Sequence, residues 1–383
     1  MVFTRKFQPG VRKRRFRVRI ERRRYDLVFV SGRLSILMNI IDAHTHVFPQ
    51  YADLAVRVMD RVGISSVVTL EWHDGFGSTL QEHLRTFNHY PGRFVVFGNL
   101  DFRRINEPNF AHEAAQQMER DVEAGMRGLK IYKALGLEYR HPDGSFWRIN
   151  DERLDPIWEK AGELGIPILI HSADPAGLWQ SMNDLNFWNG VVYGEYAWWG
   201  YYREDYPCRD TLLGERNEVI HRHPNTVFIC PHVGSRADNL DTAADELDAL
   251  PNMYYDISAR IPLLGMSKRR AEHSRNFLLE YADRILFGTD VIYDDTNVPT
   301  GMQAQCLYQP YEFPLEGMDA HDKYVDTTVD FLHSNLDFLL TDAVQTQPPF
   351  KRNRAGFVIH NIHLPDAVCD KILSKNIENI LPD

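Results

Sequence analysis

From residue 38 onward, short apolar runs alternate with amphipathic segments along the chain. Eight runs are present, at residues 39–46, 65–72, 93–101, 127–133, 167–174, 226–234, 253–260 and 284–290. Between them lie segments with helical periodicity, such as residues 109–126, 151–165 and 267–283. This alternation is typical of repeated βα units that build a parallel sheet.

Eight consecutive βα units with no break in composition predict one (β/α)8 TIM barrel over residues 38–383. A doubly wound open sheet is the alternative, but eight units in series favour closure. The fold class is therefore α/β, with a single barrel domain.

Two predicted loops, after strands 5 and 8, are longer than a βα connection needs: residues 175–206 and roughly 291–320. Both leave from the strand ends that form the active-site face of a barrel, so we expect lids or pocket walls. The first loop contains ten aromatic residues: Trp179, Phe187, Trp188, Tyr193, Tyr196, Trp198, Trp199, Tyr201, Tyr202 and Tyr206. A substrate pocket would use such residues, but core packing or a dimer contact explains them equally well.

The first 37 residues differ in charge from the rest of the chain. They contain 12 basic and two acidic residues, whereas residues 38–383 contain 31 basic and 51 acidic residues, a net charge of −20. Met38 directly precedes NIIDAHTH, so we interpret residues 1–37 as a basic extension that is disordered or an artefact of the start site. A nucleic-acid-binding arm is the alternative. We do not expect a small β-sandwich around YDLVFVSGRL, because only residues 35–38 separate it from the barrel.

Composition also limits the setting in which the protein works. No window approaches 18 uninterrupted apolar residues and no secretion signal is present, so we expect a cytoplasmic protein without a membrane partner. The four cysteines contain no C-x-x-C pair, which predicts reduced thiols rather than disulfides or a thiolate zinc cluster. They are Cys208, Cys230, Cys306 and Cys369.

Polar residues end the apolar runs in a repeated pattern. Side chains alternate along a strand, so Asp42, His44 and His46 are predicted on one face, pointing into the barrel, with Ile41 and Ala43 on the other. We expect Asp42 to support the strand or His44 rather than a metal. Further polar residues follow on later strands: Lys130, His171, His232 and Asp290.

Imidazoles and a carboxylate that converge at a barrel mouth predict a catalytic site for one divalent metal ion. The expected ligands are His44, His46, His171 and Asp290. A bound ion lowers the pKa of its water towards ~7. His232 is placed to act as an acid, as a base or as a stabiliser of an oxyanion. A lone strand-end histidine is more often a solvated residue, so the prediction depends on the ordered set.

The ordered motifs IDAHTH, PILIHSADP, FICPHVGS, YYDISAR, ILFGTD and LPDAVCDKILSKNIENIL resemble those of the amidohydrolase-related family. This is the branch of the metal-dependent amidohydrolase superfamily that includes aminocarboxymuconate semialdehyde decarboxylase. The resemblance covers about residues 39–381. It implies a distorted (β/α)8 barrel, one divalent ion that is most often zinc, with manganese as the other candidate, and His232 as the catalytic histidine. The ligand positions that it implies are His44, His46, His171 and Asp290.

The resemblance also implies two reactions that the motifs do not separate. One is metal-dependent hydrolysis of a small-molecule amide, lactone or ester, in which Asp290 accepts a proton from water. The alternative is non-oxidative decarboxylation of a small or aromatic carboxylic acid, for which Arg260 is a candidate clamp on the carboxylate. Lys130 is similar in position to a lysine that is carbamylated in other branches, but here we expect a substrate or structural contact. A homodimer is an expectation from the family alone. A third hypothesis, an inactive barrel that binds nucleic acid through its basic arm, has weaker support.

Overall fold

The structure is a computed structural model. It describes residues 16–20, 23–30, 33–36, 39–71, 80–181, 200–202, 205–293, 320–346, 348 and 358–382. The chain divides into two compact units, Met1–Asn39 and Ile40–Asp383.

The first unit contains an antiparallel sheet of three described strands, Phe16–Ile20, Arg23–Val30 and Arg33–Ile36. The interpretation of residues 1–37 as a disordered extension stays a prediction. Basic and apolar residues alternate in FRVRI, which is the period of a strand, and the density of arginine concealed that period in the sequence. An artefactual start site stays a prediction.

The second unit is built on one sheet of parallel strands that follow the predicted apolar runs. They are β1 (Ile41–Val47), β2 (Ser66–Leu70), β3 (Phe94–Gly98), β4 (Gly128–Ile131), β5 (Ile168–Ile170), β6 (Phe228–Cys230), β7 (Met253–Asp256), β8 (Ile285–Leu286) and β9 (Val291–Tyr293). Their spatial order is β8-β7-β6-β5-β4-β3-β2-β1-β9. Short strands such as FIC are buried on both sides, as parallel strands covered by helices are.

The predicted eighth run, residues 284–290, contains β8, and β9 follows directly after it at the start of the predicted loop; together they close the sheet. β8 pairs with β7, whereas β9 pairs with β1. Between them the backbone NH of Asp290 donates to the carbonyl of His44 at 2.8 Å. The two edges of the sheet therefore belong to one chain segment, which confirms the (β/α)8 barrel and excludes the open doubly wound sheet.

A helix follows each strand position. These helices are α1 (Ala52–Val62), α2 (Leu80–Phe87), α3 (Phe110–Ala124), α4 (Asp155–Leu164), α5 (Arg209–Arg222), α6 (Leu240–Ala249), α7 (Lys268–Glu280) and α8 (Ala320–Leu340). Gly165 ends α4 in a left-handed conformation (φ 65°), and the hydroxyl of Ser267 caps α7 by accepting from the NH of Arg270.

Shorter elements fill the connections and the C-terminus. They are 3₁₀ turns at Pro49–Tyr51, Phe102–Arg104, Glu152–Leu154 and Ala176–Trp179, helical turns at Ala134–Leu137, Pro231–Gly234 and Ile261–Leu264, a two-stranded sheet of Val344–Gln345 and Ile359–His360, and a C-terminal helix over Asp366–Asp370, Lys371–Lys375 and Asn376–Ile380 whose middle part is a π-helix. Ile377 of the last helix packs into the apolar core, so the C-terminus covers part of the barrel.

A register shift in β1 corrects the predicted faces of that strand. Asp42 pairs with Val67 and Thr45 pairs with Thr69, so three steps on β1 match two steps on β2. Paired residues of a parallel sheet point to the same side. Asp42 therefore lies on the outer side of the barrel wall, and Ala43 packs into the interior core, although simple alternation predicted the reverse.

Several expected features lie partly outside the described residues. Most of loop 175–206 lies outside them, as does the whole segment from 294 to 319 with Cys306. Cys208, Cys230 and Cys369 are free thiols, as expected. Among the described residues, no helix combines the length and the hydropathy needed to cross a membrane.

Candidate metal centre

Three of the four predicted ligands meet where β1 ends beside β9. The Oδ1 atom of Asp290 lies 3.2 Å from Nε2 of His44 and 3.4 Å from Nε2 of His46. One ligand atom from each residue lies within 4.8 Å of the others. The bulge in β1 keeps both histidines on the inner side, and a left-handed conformation at Asp290 (φ 66°) turns its carboxylate towards them.

Hydrogen bonds at the far nitrogens fix how the two rings are oriented. Nδ1 of His44 lies 2.7 Å from Oδ2 of Asp256, and Nδ1 of His46 lies 2.7 Å from the carbonyl oxygen of Leu70. Because these partners are acceptors, each Nδ1 carries a proton and donates it. Nε2 of both rings is thus the atom that faces Asp290, as in histidines that bind metal through one nitrogen and are held through the other.

The charge state of this group fits a divalent cation. Burial lowers the pKa of His46 to about 4, so this ring is neutral at pH 7 and its Nε2 lone pair faces the Asp290 oxygen. Burial also lowers the pKa of His44, but the carboxylates of Asp256 and Asp290 outweigh it and raise that pKa to about 8. The lone pairs of the two Nε2 atoms and the Asp290 oxygen repel one another. Either a proton on Nε2 of His44 or a metal ion between the three atoms would relieve this repulsion, so proton and metal compete for Nε2.

His171 and His232 lie next to this group without belonging to its tightest cluster. The ring of His232 is 5.1 Å from the ring of His44 and 4.7 Å from that of His171, measured between centroids. Burial lowers the pKa of His171 to about 4. Its Nε2 is buried and makes no hydrogen bond in the described part of the chain.

The hydrogen bonds of His232 define its tautomer. Its Nδ1 lies 3.0 Å from the carbonyl oxygen of Ser258, which can only accept. The hydroxyl of Ser258 donates to Oδ1 of Asp256 at 2.5 Å, so it does not supply a proton to His232. Burial, followed by the charge of Arg260, lowers the pKa of His232 well below its usual value. His232 is therefore neutral, with a lone pair on Nε2.

Asp256 and Ser258 also contact the candidate site, although the sequence analysis quoted them in YYDISAR without giving them a role. Oδ1 of Asp256 accepts from the backbone NH of His232 at 2.9 Å, while Oδ2 holds His44. The hydroxyl of Ser258 also lies 3.1 Å from Nδ1 of His44. One carboxylate thus connects the first predicted ligand with the predicted catalytic histidine. Its inward position at the end of β7 could have indicated this role.

Left-handed backbone conformations are concentrated at the strand ends around the site. After β5, β6, β7 and β8 the chain passes through Ala173 (φ 57°), His232 (φ 62°), Ala259 (φ 53°) and Asp290 (φ 66°). Such conformations cost roughly 1–2 kcal/mol for each non-glycine residue, and they cluster at functional sites. They turn each loop back over the barrel mouth.

Two cationic side chains that were predicted as substrate contacts also face the site. Lys130 pairs with Leu169 of the core, so it points into the barrel, and it is 1% exposed. Burial lowers its pKa to about 8, although Asp290 and Asp256 favour its charge. In the described part of the chain, its ammonium makes no ion pair. Arg260 is buried, and its positive charge contributes to the lowered pKa of His232.

Only part of the aromatic loop can be placed. Tyr201 is buried, and its ring lies 4.7 Å from that of Trp179 and 5.1 Å from that of Tyr206. The ammonium of Lys133 is 5.8 Å from the centre of the Tyr201 ring. These residues lie on the side of the site that carries His171, while the remaining predicted aromatic residues except the exposed Tyr202 lie outside the described ranges.

Comparisons with known proteins identify a family. The family model for amidohydrolases matches residues 41–382. An amidohydrolase structure from Staphylococcus aureus is 17% identical, with a TM-score of 0.46, over 66% of this chain and 88% of the other. A 2,6-dihydroxybenzoate decarboxylase from Rhizobium is 15% identical, with a TM-score of 0.43, over 66% and 88%. A 5-carboxyvanillate decarboxylase from Novosphingobium aromaticivorans with bound manganese is 15% identical, with a TM-score of 0.37, over 62% and 70%. None of the curated proteins matches.

Proposed function

Because the chain belongs to the amidohydrolase family, we propose that it is a metal-dependent hydrolase of a small-molecule amide, lactone or ester. The observation that carries this proposal is the convergence of His44, His46 and Asp290, with neutral His232 beside them. The expected ligands are these first three residues and His171. A set of imidazoles with one carboxylate suits zinc, with manganese as the second candidate.

When bound, a divalent ion supplies Lewis acidity and lowers the pKa of water towards ~7. The chain's own residues then move the protons. Asp290 is an anion whose side chain is 21% exposed, so it can reach a water in the cleft and accept its proton. Because His232 has a lone pair on Nε2, it can accept a proton and act as a base. It can stabilise an oxyanion only after it has taken up that proton.

Decarboxylation is the second candidate, and the buried cations favour it. Lys130 and Arg260 balance the charges of Asp256 and Asp290, so a divalent ion leaves a surplus of positive charge at the site. An anionic substrate would neutralise this surplus. Arg260 and Lys130 are the proposed contacts for its carboxylate. In this reaction the bond to the carboxylate carbon breaks, CO2 leaves, and a proton is delivered to the remaining carbon.

One experiment tests both candidates. The purified protein is analysed for metal content, and then incubated with lactones, amides and aromatic acids while hydrolysis and CO2 release are followed together. Hydrolysed product without CO2 supports the first candidate and rejects the second, and CO2 without hydrolysis does the opposite. His232→Asn should abolish turnover while metal content is kept. A metal content far below one equivalent, unchanged by His44→Ala with His171→Ala, would overturn the metal-dependent function itself.

A further inference from the structure

The loop after β5 places a carboxylate against the predicted ligand His171. Oδ1 of Asp174 lies 3.5 Å from Nε2 of His171, three residues earlier in the chain. Both side chains are buried. This distance is slightly too long for a good hydrogen bond, but Oδ1 of Asp174 is the acceptor that lies next to Nε2 of His171.

The backbone of this loop is fixed in place. Ala173 is left-handed (φ 57°), which folds Asp174 back towards the strand end. The hydroxyl of Ser235 donates to the carbonyl of Ser172 at 3.0 Å, and Nε of Arg209 donates to the carbonyl of Asp174 at 2.9 Å. The position of the carboxylate is therefore set by contacts from the neighbouring loop and from α5.

A buried lysine fixes the charge of this carboxylate. The ammonium of Lys133 forms an ion pair with Oδ2 of Asp174, which leaves Oδ1 directed at His171. Burial raises the pKa of Asp174, but Lys133 and His171 lower it by more, so the pKa of this carboxyl lies well below its usual value. The carboxylate is an anion, and removal of the lysine would leave that charge unpaired.

The other histidines of the site also have one ring nitrogen next to a hydrogen-bond acceptor. One ring nitrogen of His44 is held by Asp256, one of His46 by Leu70 and one of His232 by Ser258. Partners of this kind orient metal-binding imidazoles and increase their basicity.

We infer that Asp174, held by Lys133, is a positioning residue of the metal centre that acts through His171. Nε2 of His171 keeps its proton and directs it at the Asp174 carboxylate, which leaves the lone pair of Nδ1 for the ion. This inference rests on the proposed metal site.

Binding of Co²⁺ tests it without any substrate. The affinity of the full-length protein is measured by competition with a chelator, and the visible spectrum of the bound Co²⁺ reports the ligand set. Asp174→Asn should weaken binding about 10- to 100-fold, as loss of such partners does. Asp174→Glu should restore part of the affinity. Asp283→Asn is the control, because it removes the carboxylate of another Asp–Lys ion pair, with Lys371 at 2.6 Å, that lies away from His171.

The lysine supplies a second pair of variants in case Asp174→Asn does not fold. Lys133→Arg should bind Co²⁺ nearly as well as the unmodified protein, while Lys133→Met should bind it several-fold more weakly. Equal affinities and spectra in all Asp174 and Lys133 variants, or losses no larger than in Asp283→Asn, would overturn the inference and leave the proposed function standing. If the unmodified protein itself does not bind Co²⁺, the proposed metal site fails and the inference with it.

Discussion

Gly288 lies between β8 and β9, close to three residues of the candidate site. A methyl group at this position would lie 2.8 Å from Cβ of His44, 3.3 Å from Cβ of Ser258 and 3.4 Å from Cβ of Asp256. All three contacts are to atoms next to the backbone, so none can be relieved by rotation of a flexible side chain. We therefore expect Gly288→Ala to displace His44 from Asp256, and to destabilise the fold by about 1–3 kcal/mol, the usual cost of overpacking.

The same displacement should weaken metal binding. If the cost of about 1–3 kcal/mol falls on the ligand geometry, the affinity for Zn²⁺ or Mn²⁺ drops about 5- to 150-fold. Urea unfolding monitored by tryptophan fluorescence gives the change in midpoint, and chelator competition gives the affinity. Gly214→Ala is the matched control, since nothing lies within 4 Å of its added methyl group and it sits inside α5. This control should gain up to about 1 kcal/mol from helix propensity. Unfolding midpoints and affinities of Gly288→Ala that equal those of the unmodified protein would refute the proposed crowding.

Three further predictions follow from other parts of the chain. Burial and then Asp121 raise the pKa of Glu71 well above its usual value, so the folded state keeps a proton that the unfolded state releases above pH ~4.3. Stability should therefore fall as pH rises from that value through the folded pKa, and Glu71→Gln should flatten this slope in urea unfolding at several pH values. Glu246→Gln removes the buried partner of two arginines and a tyrosine and should cost about 3–5 kcal/mol in the same assay, whereas exposed Glu163→Gln should stay within ~0.5 kcal/mol. A chain that begins at Met38 should retain the metal affinity, and a loss of salt-dependent binding to DNA on this truncation would support the nucleic-acid arm.

The order of strands and helices could be predicted because it depends on local periodicity. Runs such as PILI and VFIC are apolar throughout, as strands covered on both sides require, and the helices between them have glycine or capping signals at their ends. The extra strand β9, directly after the predicted eighth run, could not be predicted. It depends on a left-handed conformation at Asp290, which no residue type in GTDV demands.

The candidate site was predicted in part for the same reason. His44, His46 and Asp290 follow apolar runs directly, so the closed barrel brings them together. The bulge in β1 could not be predicted, and it is what allows Ala43 and His44 to share the inner side. Asp174 was missed because its role depends on a loop conformation rather than on its place in a strand.

A network outside the barrel stabilises the turn that presents His232. The guanidinium of Arg216 donates to the carbonyl of Gly234 at 2.7 Å and to Glu246 at 2.9 Å, and the hydroxyl of Tyr255 donates to Glu246 at 2.7 Å. The Tyr255 ring lies so close to Gly234 that an added methyl group would approach it to 2.3 Å. The left-handed turn from His232 to Gly234 is thus held from behind by buried charges and an aromatic ring. Because these residues lie behind the wall, they can offset the strain of the turn without occupying space at the barrel mouth.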